Sequence, residues 1–256
     1  MGHLIIEQEG SVAVVKVNRP DVLNALSQAV LVELEDFLGD VASTGSIRAI
    51  ILTGEGHKSF IAGADIREMQ GLSLLEMLSF SHLGQRVASA LEDGPFLTIA
   101  AINGFALGGG LEMALACDII YASDSARFGF PEVTLGLIPG FGGTQRLSRS
   151  VGLHRAKEMI LTGKSITSQQ AFQMGLINRL CPADTLLEEA LATAKLVSEY
   201  PETAIRQAKR AIVIGASLSI TEALELESNM FSVCGGDPES AALLEAFINK
   251  SHHKKP

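Results

Sequence analysis

The chain has 256 residues, of which 47% are hydrophobic and 19% charged, and it carries a net charge of −9 at pH 7. That composition supports a sizeable core and excludes a disordered chain; the acidic balance argues against a nucleic-acid surface, though not against a local basic pocket for a phosphorylated cofactor. The three cysteines, Cys117, Cys181 and Cys234, lie far apart, which fits reduced thiols rather than a disulfide framework, and no Cys/His group has zinc spacing.

The N-terminus, MGHLIIEQEG, has neither a basic region nor a long apolar stretch, and Ile6 stands where myristoylation wants Ser or Thr. A cytoplasmic location is inferred from these missing signals. Alternation of β-branched residues predicts a strand over Val12–Asn18, ended by the NRP turn. Ser27 is a fitting N-cap for a helix to about Ala42, with Val30, Leu31, Leu34, Phe37 and Leu38 as its apolar stripe. Arg48–Gly54 reads as a buried strand, GEGHKSFIAGAD as a loop, and Ser73 to about Leu91 as a helix. Pro95–Ala122 is apolar enough to mimic a membrane span, but Asn103, Gly104, Gly108, Gly109, Gly110 and Glu112 in its middle do not suit lipid. It divides instead into a strand at Leu97–Gly104, a glycine loop with a following helix, and a strand at Asp118–Ser123. Glycines crowd again in LGLIPGFGGTQRL, Leu135–Leu147. Beyond about Val151 helical patterns dominate, broken at Pro182 and Pro201. Strands alternating with helices predict an α/β fold with parallel strands. The division we expect is an α/β core over residues 1–195 and a helical C-terminal region over 196–256.

Nucleotide motifs fail on inspection. Gly108 and Gly110 begin a dinucleotide fingerprint, but its third glycine position is Met113. LTGKS, Leu161–Ser165, looks like the end of a P-loop, yet Glu158 occupies the upstream glycine position. No nucleophile elbow occurs, and His82 and His154 read as ordinary helical residues. The His252–His253 pair belongs to a solvated basic tail.

What survives is a set of small residues and two carboxylates. Gly108–Gly110 open a helix, where a missing Cβ admits close approach and unpaired N–H groups point along the axis. That suits a developing oxyanion as well as it suits a plain tight turn. The small-residue loop FIAGAD, Phe60–Asp65, is a second place where backbone can meet a ligand. Glu112 stands among Met113, Ala114, Leu115 and Ala116, and Glu132 beside Pro131 among Phe128, Phe130 and Val133. From pattern alone, Glu112 is a helix-dipole partner, a solvated residue or a catalyst, and Glu132 an exposed loop residue or a catalyst. Burial together would raise their pKa values and suit them to acid and base work near neutrality.

The segment NGFALGGGLEMALACDIIYASDSARFGFPEVTLGLIPGFGGTQRL resembles the signature region of the crotonase superfamily, most closely the enoyl-CoA hydratases. RPDVLNALS, RAIILTGEGHKSFIAGADIREM and LTGKSITSQQAFQMGLIN extend the likeness over nearly the whole chain. The resemblance implies a spiral of ββα units with a helical C-terminal trimerisation region. It implies reversible addition of water to a 2-trans-enoyl-CoA, giving a 3-hydroxyacyl-CoA. Glu112 and Glu132 match the family's two catalytic glutamates, and Ala64 and Gly109 its oxyanion-hole donors. Ala25, Ala62, Ala64, Asp65, Ile66, Arg67, Gly109 and Pro131 match its substrate-binding positions. The implied partners are an acyl-CoA substrate and further copies of the chain, as a homotrimer or a dimer of trimers. No nucleic acid, membrane, metal or separate cofactor is implied, coenzyme A being part of the substrate. The alternatives are another acyl-CoA lyase or isomerase of this fold, or a non-catalytic acyl-CoA- or RNA-binding member. The family's basic, aromatic tail is only partly matched: Lys250 is present but no aromatic follows it.

Overall fold

The computed structural model describes residues 2–252, with side chains described for residues 2–249. The expectations for the side chains of Lys250 and of the His252–His253 pair lie outside what is described. The chain divides into two compact units, residues 1–195 and 196–256.

The first unit opens with an antiparallel pair, β1 (Leu4–Glu9) and β2 (Val12–Val17). A 3-10 turn at Pro20–Val22 leads to α1 (Gln28–Thr44), where the Ser27 hydroxyl accepts from the Val30 N–H at 3.2 Å as the N-cap. Next come β3 (Ala49–Gly54), β4 (Ser59–Ile61), the single turn α2 (Ile66–Met69) and α3 (Leu74–Asp93). Ser73 and Glu76 form a reciprocal capping box at the start of α3. β5 (Leu97–Ile102), β6 (Phe105–Leu107), α4 (Gly109–Ala116), β7 (Ile119–Ser123) and β8 (Arg127–Gly129) follow. After a 3-10 turn at Pro131–Leu135 come α5 (Gly143–Val151), α6 (Leu153–Thr162), β9 (Ile166–Thr167), α7 (Ser168–Gln173), β10 (Arg179–Cys181) and α8 (Leu186–Ser198). The second unit holds α9 (Glu202–Gly215), α10 (Ile220–Gly235) and α11 (Pro238–His252).

Two sheets organise the first unit, in the orders β1-β2-β3-β5-β7-β10 and β4-β6-β8-β9. The pairs β3–β4, β5–β6 and β7–β8 each send their first strand to the larger sheet and their second to the smaller. A helix follows each pair. The neighbours β3, β5 and β7 pair in parallel, as do β4, β6 and β8. This is the ββα spiral that the resemblance implies. Every residue of β3 and of β5 is buried, because both faces of these strands are covered. Phe60, Phe96, Phe128 and Phe130 fill the core completely out of solvent.

The apolar stretch Pro95–Ala122 is cut into β5, β6, α4 and β7, and among the described residues no helix is long and apolar enough to cross a membrane. Three departures from the sequence reading have physical causes. The loop after β3 contains β4 and α2, since three residues are too few to show a period. β1 exposes most of its side chains, so its sequence carries little hydrophobic alternation. α5 begins on two glycines, which read as a turn, yet it buries Leu147 and Val151 one turn apart.

Candidate active site

The short strand β6 ends at Gly108, whose φ of +48° turns the chain sharply into α4. A Cβ at Gly110 would stand 2.0 Å from the Ile61 carbonyl oxygen, so glycine there is what lets α4 press against β4. The helix is buried nearly all round, and Glu112, its only charged residue, is 1% exposed. Its Oε1 accepts from the Phe141 N–H at 2.7 Å and the Gly143 N–H at 2.6 Å. Gly143 begins α5, so the carboxylate also meets a helix N-terminus. Burial dominates nonetheless and pushes the Glu112 carboxyl up to about 7, against those two amides and with help from the negative charge of Glu132.

Glu132 comes from the 3-10 turn at Pro131–Leu135. A Cβ on Gly108 would fall 2.6 Å from its Oε1, so this carboxylate lies directly against the glycine run. Its Oε2 is buried and has no hydrogen-bond partner among the described residues. Burial raises the Glu132 carboxyl as well, opposed by its own backbone N–H.

Two backbone donors complete the site. As the first residue of α4, Gly109 has no intrahelical acceptor for its N–H. Ala64 bridges to Leu26, but the bonds of that bridge are made by its neighbours: Leu26 N–H to Gly63 O and Asp65 N–H to Leu26 O, both at 2.8 Å. Among the described residues neither the Ala64 nor the Gly109 N–H makes a backbone hydrogen bond. They are close together, since a Cβ on Gly109 would sit 3.5 Å from the Ala64 nitrogen.

All four residues line one cavity of about 170 Å³. Ala62, Gly63, Ser81 and Pro131 also line it, and Ile66, Met69, Met77, Phe80, Leu137 and Ile138 add apolar surface. The wider groove over Gln28, Val32, Glu33 and Asp36 on α1 contains neither shifted carboxyl group.

Of the positions matched by resemblance, Ala62, Ala64, Ile66, Gly109, Glu112, Pro131 and Glu132 meet at this cavity. Three are placed elsewhere. Asp65 is buried, caps α2 through the Arg67 N–H at 3.2 Å and pairs with Arg19 at 2.8 Å. Ala25 is half-buried and its carbonyl accepts from Arg19 at 2.7 Å. Arg67 lies exposed off the cavity wall. The sequence reading missed the Phe141 and Gly143 amides that hold Glu112, and Met77 and Phe80 on the wall. The first were signalled by the glycines of GFGG before a polar helical stretch. The others are ordinary apolar positions of α3 and carried no signal.

A family model described as "Enoyl-CoA hydratase/isomerase" matches residues 7–254. The chain is 45% identical to the "Short-chain-enoyl-CoA hydratase" of Clostridium acetobutylicum, over 98% of this chain and 96% of that protein. It is 40% identical to the "Crotonyl-CoA hydratase" of Syntrophomonas wolfei, over 97% of this chain and 95% of that one. Among solved structures, the enoyl-CoA hydratase of Bacillus anthracis superposes with a TM-score of 0.93 at 36% identity, covering 97% of this chain and 96% of its own.

Proposed function

The chain belongs to the enoyl-CoA hydratase/isomerase family, and from that premise we propose that it adds water reversibly to short-chain 2-trans-enoyl-CoA thioesters, using Glu112 and Glu132 as its catalytic pair. That it is an enoyl-CoA hydratase follows from its relatives. The chain length and the residue assignments are our reading. The observation that carries them is the meeting of one buried and one half-buried carboxyl, both shifted upward, with two unengaged backbone N–H groups at one small cavity.

The thioester carbonyl oxygen accepts from the Ala64 and Gly109 N–H groups. Those donors draw electron density from the conjugated double bond and leave C3 electrophilic. Glu112 and Glu132 hold a water over C3; one carboxylate takes its proton as the C3–O bond forms, and the negative charge moves to the thioester oxygen. The amides stabilise that enolate, and a carboxyl then delivers a proton to C2, so one water has been added across the bond. A single oxyanion donor is worth about 3–4 kcal/mol of barrier in comparable sites. Preorganised amides cost no reorganisation at the moment of reaction. A carboxyl titrating near neutrality, as burial makes Glu112, can both give and take protons. The chemistry needs no metal and no cofactor beyond the coenzyme A of the substrate.

Short acyl groups are favoured by the small cavity and by Met77 and Phe80 on its wall. We also read the protein as a homotrimer or a dimer of trimers in the cytoplasm. The assembly reading is supported by large apolar side chains on the C-terminal helices, Ile212, Ile220, Phe231 and Phe247, which are 73% to 78% exposed. The decisive assay adds crotonyl-CoA and longer 2-enoyl-CoAs and follows loss of the conjugated-thioester absorbance. The expected result is fastest turnover at the shortest chain. No turnover with any of them defeats the reading.

A further inference from the structure

The two amides that grip Glu112 are themselves held from behind. The Phe141 N–H shares one peptide plane with the Gly140 carbonyl, and a trans peptide points the two in opposite directions. That carbonyl accepts from the Ser81 hydroxyl at 2.6 Å and from the Gln85 side-chain amide at 3.0 Å, both on α3. A hydrogen bond at the oxygen end of a peptide fixes its plane and polarises its N–H. The next peptide is held in the same way: the Phe141 carbonyl accepts from Arg146 Nη1 at 3.1 Å. Arg146 is in turn anchored by Glu92 of α3 at 2.6 Å. The third peptide carries the Gly143 N–H, and its Gly142 carbonyl accepts from the Gln145 and Arg146 N–H groups at 3.0 and 2.9 Å. So three successive peptides are each pinned at the oxygen, and the N–H groups of the first and third converge on Glu112 Oε1.

Building on the hydratase reading, we propose that Ser81 and Gln85 are positioning residues, which act through the Gly140–Phe141 peptide to aim and hold the Glu112 carboxylate. Nothing in the packing of α3 requires a hydroxyl at Ser81. Its neighbours on the helix that face the core, Phe80, Leu83, Gly84 and Val87, are apolar or small. Ser81 itself lines the cavity beside Gly140 and Phe141, but its hydroxyl is committed to a carbonyl whose peptide ends at the catalytic group. Gln85 reaches the same oxygen from an exposed position outside the cavity, where it touches no substrate.

Steady-state hydration of crotonyl-CoA by the full chain tests this. Ser81→Ala is expected to lower kcat about tenfold, the rate equivalent of one hydrogen bond, with KM changed by less than about twofold. Ser81→Thr keeps the hydroxyl and is expected to stay within about threefold of wild type. Gln85→Ala is expected to cost about two- to threefold in kcat, since Ser81 still holds the carbonyl. In a Glu112→Gln background the Ser81→Ala effect should shrink to less than about twofold, because residues acting through one group are not additive. Wild-type kcat in both Ser81→Ala and Gln85→Ala overturns the proposal. So does a loss that Thr does not restore, or one that persists undiminished beside Glu112→Gln. If Ser81→Ala does not fold, Gln85→Ala and Ser81→Thr decide. A wild-type chain without turnover defeats the hydratase reading itself and this inference with it.

Discussion

With a side chain 1% exposed and a pKa pushed up to about 7, Glu112 changes charge in the range where the enzyme would be assayed. The folded chain keeps this proton to higher pH than the unfolded chain, whose carboxyl titrates near the ordinary 4.5. The folded state therefore binds more protons between those values, and the contribution of Glu112 to stability falls as pH rises through that window. It is full below about 4.5 and lost above about 7, for a total of about 3 kcal/mol. Glu112→Gln keeps the carbonyl oxygen that accepts from Phe141 and Gly143 but carries no charge. Its melting temperature should exceed wild type by a margin that grows from about pH 5 to about pH 8; a constant margin refutes the shifted ionisation. Turnover should respond the opposite way. Glu112→Gln and Glu132→Gln should each lower kcat by about 10²–10⁴-fold with folding intact, and near-wild-type rates in either remove that residue from the mechanism. At this scale pattern alone could not choose between a dipole partner and a catalyst at Glu112. The resemblance favours the catalyst, and burial with two amide contacts supports that proposal. Asp65, matched in the same way, caps α2 and pairs with Arg19, because a short side chain at the start of α2 reaches its own helix first.

Helix α4 brings the donor at Gly109 and the carboxyl at Glu112 to the cavity on one rigid turn. Its placement depends on contact with β4 through Gly110. Gly110→Ala puts a methyl into the Ile61 carbonyl, so α4 must withdraw, at a cost of about 1–3 kcal/mol by overpacking. Denaturant unfolding should show that loss, and kcat should fall with it because Gly109 moves away from Ala64. Retained stability and rate would mean that the helix is not held by this contact. Elements were legible where they were long and periodic: α1, α3, β3 and β5 follow directly from apolar spacing and caps. β4, β6 and α2 were not legible as elements, because three or four residues show no period and their pairing comes from distant segments. The start of α5, which reaches Glu112 through Gly143, was marked by the glycines of GFGG only as a turn and not as a helix start.

Across the whole molecule, the apolar side chains exposed on α9, α10 and α11 bear on assembly. Burying one such residue is worth about 1.5–3 kcal/mol, so several together are ample for a stable interface. Phe231→Glu combined with Ile220→Glu should shift the mass measured by light scattering from trimer or hexamer toward monomer at micromolar protein. A wild-type chain that is already monomeric there would defeat the trimer reading.

Read along the chain, the residues alone settle the class of fold, the strand–helix rhythm and the helical C-terminal part, and one long resemblance singles out the residues proposed to act. These are local or collinear properties: periodicity, caps and motif order are all written along the chain. Only the tertiary structure decided that the Glu112 and Glu132 carboxyls, the Ala64 amide and the Gly109 amide share a single small cavity. It alone decided that Asp65 and Arg67 do not line that cavity, and that Ser81 and Gln85 stand behind the peptide that grips Glu112. Burial, pKa and hydrogen-bond geometry depend on segments brought together from distant parts of the chain, and no pattern within a segment encodes the distance to another.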